Sequence, residues 1–174
     1  VEDIIALPAD PETAGHLQLF PEGLANELQA AFEDMGAASD SEYPHLLVSR
    51  RMKYTHNSTG PEFALLRAKN SHNPAYMHSS ELEKLGIADG DLIEVRSRHG
   101  AIPAVAAASD DVKPGIVSMS HSWGGTPDPD ANVDEKVRDM GSNTNRLIDN
   151  RSQTERYSAM PRLSTVPIRI SRAS

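Results

Sequence analysis

The sequence predicts a mainly β fold, a small closed barrel with short helices at its periphery. Three observations within residues 78–119 predict it. Short strand-like runs follow one another at 92–97, which is rich in branched apolar residues, at 101–108 and at 116–119. Each break between them carries turn chemistry, with Asp89-Gly90 ahead of the first run, Arg98-His99-Gly100 after it and Lys113-Pro114-Gly115 before the third. The runs are short and curled by Gly and Pro, as a closed barrel requires and a flat sheet does not.

In chain order, residues 1–13 are rich in Pro and acidic side chains and read as a linker. Residues 15–36 pair a short strand with a helix on which Leu24, Leu28, Ala31 and Met35 recur at helical spacing, predicting a peripheral amphipathic helix packed on the domain. A small, polar linker at 36–42 follows. The division is therefore 1–42 as a joining strand and helix, and 43–174 as the barrel.

The first barrel strand is predicted at 43–49, with Leu46, Leu47 and Val48 as its buried run. A polar loop spans 49–60. Pro61 can begin a short helix within 60–69, and 74–77 is extended. Ser80 and Glu83 fit a capping box, Leu82 and Leu85 share a helical face, and Gly86 can end the helix in the left-handed conformation. Pro114 and Gly115 sit where a type II turn wants them. Residues 126–140 are acidic and contain Pro, so an exposed, loosely held insertion is expected. The final strand is predicted at 167–170, and Pro167 within it suggests an edge position.

Composition narrows the function. The 174 residues suffice for one domain with its own core, and 38% hydrophobic with 24% charged residues is ordinary for a globular chain. A formal net charge of -8 argues against a nucleic-acid platform. The absence of Cys removes disulfides, thiolate metal sites and a Cys nucleophile. No apolar run is long enough to span a membrane, so no membrane insertion is expected. Val1-Glu2-Asp3 begins no signal peptide and lacks Met, suggesting a start inside a longer protein; a cytoplasmic location is expected, with a periplasmic one left open.

Several polar groups follow predicted strands directly, where a rigid scaffold can aim them. Arg50 and Arg51 offer planar donors suited to phosphate, and Asn57, Ser58 and Thr59 offer short hydrogen-bonding groups. His121 and Trp123 stand beside two glycines at the end of the 116–119 strand, where Trp123 reads as a core residue closing one end of the barrel. Residues 141–150 are dense in Asn, which suits turns and also the reading of a heterocycle edge. His72 and His78 fit no zinc spacing and read as surface or capping histidines. No nucleophile-elbow motif appears, so a hydrolase is not expected.

The phrases "LGIADGDLIEVRSRHGAI", "DDVKPGIVSMSHSWGG" and "NTNRLID", with the closing "YSAMPRLSTVPIRI", resemble the C-terminal dinucleotide-binding domain of the molybdopterin oxidoreductases of dimethyl sulfoxide reductase type, which include formate dehydrogenases and nitrate reductases. The resemblance covers roughly residues 43–170. It implies a six-stranded double-psi β-barrel and a bis(molybdopterin guanine dinucleotide) cofactor carrying Mo or W. It implies cofactor contacts from Arg51, His56, Asn57 and Ser58, from His121 and Trp123, from Asn143 and Asn145, and from Arg162, with Arg50 at a position often held by Gly. Ser122 replaces a Gly usual between His and Trp, and Asp149 falls near a usual Thr. The partners implied are the remaining domains of the same oxidoreductase chain, which would supply the metal's protein ligand, so the isolated domain is expected to be inactive.

Two other readings compete. One is a separate small barrel subunit of a formylmethanofuran dehydrogenase-like complex. The other is a cofactor-free double-psi barrel for protein or peptide recognition, which an Asn segment on the opposite end from the 49–58 loop would favour. The cofactor reading requires one continuous, solvent-exposed cleft, locally less acidic than the chain as a whole.

Overall fold

The structure, a computed structural model, describes residues 12, 19–20, 22–36, 40–124, 132–152, 154 and 159–173. Residues 15–18, where the short strand expected ahead of the helix would begin, most of the 1–13 linker, and residues 37–39 and 125–131 lie outside the described residues. The chain divides into two compact units, Val1–Ala38 and Ser39–Ser174. The first carries helix α1 (Glu22–Gly36). The periodicity of Leu24, Leu28 and Ala31 does form a helix, but Leu28 and Ala31, two positions of its expected apolar face, are exposed, as is Phe32.

The second unit is the barrel. Its strands are β1 (His45–Arg50), β2 (Ala75–Met77), β3 (Leu92–Arg96), β4 (Ala101–Ala108), β5 (Ile116–Ser120) and β6 (Val166–Arg172), closed in the order β1-β5-β2-β4-β3-β6. The mainly β, six-stranded barrel read from the sequence is the fold observed. Two pairs, β1 with β5 and β2 with β4, are parallel, and the other four are antiparallel. Alternate residues point inward, as the pleat dictates. Leu47, Met77, Ile93, Val95, Ile102, Val117, Met119 and Ile168 fill the interior. The many alanines of β4, with Ala104 and Ala106 buried, leave room for the larger side chains facing them.

The turn signals are used as their chemistry predicts. Gly90 and Gly115 adopt positive φ of 84° and 81°, and Ile116 N–H closes the second turn onto the Lys113 carbonyl. Ser97 Oγ accepts from His99 and Gly100 N–H in the β3–β4 turn.

Several local expectations give way to the packing. In β1 the burial alternates: His45 and Leu47 are buried whereas Leu46 is 37% exposed, because a strand cannot turn three successive side chains inward. The short helix α2 (Ala64–Arg67) begins after Phe63, with Pro61 in the preceding turn. Helix α3 (Ser79–Leu85) is capped by His78, not by Ser80 and Glu83: β2 leaves His78 extended, and its Nδ1 accepts from Ser80 N–H at 3.1 Å. Gly86 ends this helix at φ 65°, as expected, but Leu85 is exposed and only Leu82 anchors the helix.

The described half of the acidic insertion forms helix α4 (Val133–Met140). Its Val137 is buried, and Arg138 Nη2 donates to the Gly90 carbonyl at 2.9 Å. Acidic composition concealed a single apolar anchor there. Pro167 lies in a strand with partners on both sides of the barrel, not in an edge strand. Val166–Ile168 pair with β1, and pairing with β3 begins at Arg169, so the missing Pro167 N–H falls before the second ladder starts.

Candidate functional site

Strand direction decides which loops meet. Because β1 and β5 are parallel, their C-terminal ends lie side by side, with Arg50 opposite Ser120. Strand β2 runs against β5, so its N-terminal end, preceded by Asn73, arrives at the same place. Strand β6 runs against β1, and Ser49 N–H donates to Ser164 Oγ at 3.0 Å just ahead of it. The stretches following β1 and β5, and those preceding β2 and β6, therefore share one end of the barrel.

Asn73 ties the stretch before β2 to the end of β5 and to the Asn segment. It is 2% exposed, and its Nδ2 donates to the Ser120 carbonyl at 2.7 Å and the Ser142 carbonyl at 2.9 Å. Its Oδ1 accepts from Ser142 N–H at 2.8 Å. Two glycines allow this approach. A Cβ on Gly124 would lie 2.6 Å from Asn143 N, and one on Gly141 would collide with Asn73 Oδ1. Gly124 N–H donates to the Met140 carbonyl at 2.9 Å, closing the same junction. The Asn segment is thus fixed to the end of β5, the end that also carries the loop after β1.

The candidate residues differ in how they are used. Trp123 is buried at 3% exposure, as a core residue at the barrel's end, yet its Nε1 has no hydrogen-bond partner. Its neighbour Ser122 has φ 69°, a left-handed backbone that glycine adopts more readily than a residue with a Cβ. His121 is half-buried beside it. Asn143 caps the 3-10 helix Thr144–Leu147 by accepting from Asn145 N–H at 3.0 Å, which leaves its amide NH₂ for another partner. Asn145 itself is exposed.

The loop after β1 is organised internally. Arg51 Nη1 donates to Asn57 Oδ1 at 2.6 Å. His56 and Thr59 exchange backbone hydrogen bonds at 2.8 and 3.0 Å, with Asn57 and Ser58 at the exposed tip. Tyr54, Thr55, His56, Thr59, Gly60, Phe63 and Leu66 line an open concavity of about 310 Å³. These bonds hold His56, Asn57 and Ser58 within their own loop and do not join them to His121, Trp123 or the Asn segment. Arg50 leaves the loop altogether and stacks its guanidinium 4.3 Å from the Tyr76 ring centroid, a cation–π contact. Arg162, exposed, donates from Nε and Nη2 to Thr165 Oγ1 at 3.0 and 2.9 Å.

Between residues 49 and 70 stand Arg50, Arg51, Lys53, Arg67 and Lys69 against one acid, Glu62, in a chain of net charge -8. Asp149 accepts from the Ser152 hydroxyl and from Arg151 and Ser152 N–H, which together pull its carboxyl down to about 2. Partial burial, with Arg138 nearby, lowers His72. Sequence reasoning missed Asn73 and Tyr76. The available signal was Asn73-Pro74, a polar residue fixed in extended conformation immediately before a strand.

A closed barrel that displays polar loops at one end, tied by a buried amide, has the layout of a ligand-binding domain. Residues 46–167, more than half of the chain, match the family model described as the molydopterin dinucleotide binding domain. The chain belongs to this family, whose ligand class is the molybdopterin dinucleotide cofactor.

Curated relatives agree. The alpha chain of the F420-dependent formate dehydrogenase 2 of Methanococcus maripaludis is 30% identical over 118 residues, 65% of this chain and 18% of that one. The trimethylamine-N-oxide reductase of Haemophilus influenzae is 28% identical over 89 residues, 50% of this chain and 11% of that one. The acetylene hydratase structure from Pelobacter acetylenicus shares the fold at a TM-score of 0.63 and 18% identity, over 93% of this chain and 22% of that one. The chain thus spans less than a fifth of the length of these two curated relatives.

The residues present fit such a cofactor. A dinucleotide presents acceptor-rich phosphates and polar heterocycles. The shared end of the barrel offers the unpartnered Trp123 N–H, the Asn143 amide and the Arg51 guanidinium as donors.

Proposed function

We propose that this domain holds and orients a bis(molybdopterin guanine dinucleotide) carrying Mo or W, inside a larger molybdopterin-dependent oxidoreductase polypeptide. Arg51 and its loop would take the phosphates, and Asn143 and Asn145 would read a heterocycle edge. His121 and Trp123 would line the wall between them, with Arg162 at the rim. When bound, the cofactor supplies the redox chemistry through its metal. The domain's own contribution is placement, exclusion of water at the buried wall, and donors for the cofactor's acceptors. The metal's protein ligand is proposed to come from other domains of the larger chain, and the isolated domain to be inactive.

The observation that carries this reading is the junction of Ser120, Asn73 and Ser142, which brings the loop after β5 and the Asn segment to the end bearing the β1 loop. The same junction disfavours the cofactor-free recognition module. The short span relative to the curated relatives supports a domain of a larger catalytic chain over a separate small barrel. Cytoplasmic placement goes with this proposal.

The test is chemical analysis of the natural protein purified from a host that makes the cofactor. Iodine oxidation should release the fluorescent pterin, acid hydrolysis should release GMP, and elemental analysis should find Mo or W. Protein free of both pterin and nucleotide would sink the proposal, and CMP in place of GMP would correct the guanine assignment.

A further inference from the structure

Three features stand apart from the cofactor contacts: the apolar concavity under the β1 loop, the buried His45 against Glu81, and Asn73. The concavity carries nothing that names an occupant. His45 Nε2 lies 3.4 Å from Glu81 Oε2 with Nδ1 unpartnered, but no described contact links this pair to the site. Asn73 carries the most.

We infer that Asn73 is the positioning residue of the cofactor wall, the side chain that sets where Trp123 and Asn143 stand. This rests on the functional reading above. Every polar function of its amide is engaged: both N–H groups go to backbone carbonyls 47 and 69 residues away, and the oxygen takes the Ser142 N–H. Those backbone groups belong to buried residues, Ser120 at the last position of β5 and Ser142 outside any strand or helix, and removing the Asn73 amide takes away the partners it supplies there.

The bonds bracket the site on both sides. Ser120 lies three residues before Trp123, and Ser142 lies next to Asn143. Among the described residues between them, Ser122, Gly124 and Gly141 have positive φ of 69°, 74° and 68°, so the backbone next to each bond runs outside strand and helix geometry. Ser142 Oγ donates to the Pro103 carbonyl, joining the clamp to β4. Gly141 packs so tightly that a Cβ there would stand 3.1 Å from Trp123 Cβ and collide with Asn73 Oδ1. Gly141 therefore leaves no room for a side chain between Asn73 and Trp123.

The sequence supplies its own reporter, because Trp123 is the only tryptophan among the 174 residues. Two variants act on the clamp from opposite sides: Asn73→Ser removes the two-carbonyl bridge, and Gly141→Ala pushes on it with Asn73 intact. In this chain, both should raise acrylamide quenching of Trp123 and shift its emission to the red while the far-ultraviolet circular dichroism of the barrel is unchanged. In the natural protein loaded with cofactor, both should retain pterin roughly tenfold less well. A merely structural asparagine would lower the melting temperature without moving the native-state indole.

Wild-type quenching or wild-type pterin retention in folded Asn73→Ser overturns the inference. If that variant does not fold, the same two readouts on Gly141→Ala decide it. A wild-type protein that carries no pterin defeats the functional reading instead, and the Trp123 arm then decides the positioning claim alone.

Discussion

Arg51 and Asn57 are bonded to each other, guanidinium Nη1 to amide Oδ1 at 2.6 Å, across the loop that follows β1. An exposed pair of this kind contributes little to stability on its own. Its effect is to hold the guanidinium in one orientation, leaving its remaining donors aimed together. Arg51→Ala should weaken cofactor retention by about 1.5–3 kcal/mol, the value of a charge-assisted hydrogen bond. Asn57→Ala should reproduce part of that loss, and the double variant should fall short of the sum by roughly 1 kcal/mol. Pterin retention measured across the four proteins tests this, and strict additivity would show that the pair does not act together.

Ser122 occupies a left-handed backbone conformation at φ 69°, where a Cβ is costly. Ser122→Gly should stabilise the barrel by a few tenths to about 1 kcal/mol, since the relief of strain is offset in part by the freer unfolded chain. Urea denaturation gives the difference directly. A destabilised Gly variant would mean that the serine hydroxyl has a compensating role.

Gly124 offers the opposite case. A Cβ there would meet Asn143 N at 2.6 Å and would also carry a positive φ of 74°. Gly124→Ala should cost about 2 kcal/mol or more and should disturb the Asn143 amide. The same denaturation assay reads the cost, and the Asn143 side-chain NH₂ resonances read the displacement. A neutral substitution would refute the close packing of these two segments.

Asp149 gives a prediction in pH. Its folded value of about 2 lies below the ordinary carboxyl value of about 3.9. The folded state therefore binds fewer protons than the unfolded state in this interval. The group's stabilising contribution is complete above about pH 4 and is lost as pH falls through about 2. The largest cause is the Ser152 hydroxyl, so Ser152→Ala should raise the midpoint. Titration of the Asp149 carboxyl carbon by NMR follows both, and a wild-type midpoint near 3.9 would reject the arrangement.

Much of the barrel was legible because its turns carry specific backbone demands. Gly90, Gly115 and Gly86 each sit where positive φ is needed, and those demands fix the strand ends from local sequence. The phase of β1 was not legible: Leu46, Leu47 and Val48 are all apolar, and only the pairing with β5 and β6 decides which faces inward. The cap at His78 was hidden for a similar reason, since Ser80 carries the commoner signature and loses to an imidazole placed by β2. In α4, eight residues with a single buried Val137 gave too weak a pattern against the acidic background.

The site was legible as a set of stretches and less so as a set of contacts. Sequence placed Arg50, Arg51 and Trp123 near a ligand. It could not show Arg50 turned onto Tyr76, Arg51 bonded to Asn57, or Trp123 buried. Asn73 escaped because a buried polar clamp has no periodicity, and its partners lie 47 and 69 residues away.

The division of β6 between two neighbours bears on how the chain is made. Residues Val166–Ile168 complete β1, and Arg169–Arg172 complete β3, although β1 is synthesised more than a hundred residues earlier. On the ribosome, β1 through β5 emerge with one edge of β1 and one edge of β3 unpaired, each a template for strand addition by another chain. Only the last strand seals both, so the nascent barrel is most exposed to aggregation just before β6 appears, and chaperone dependence should be concentrated in that interval.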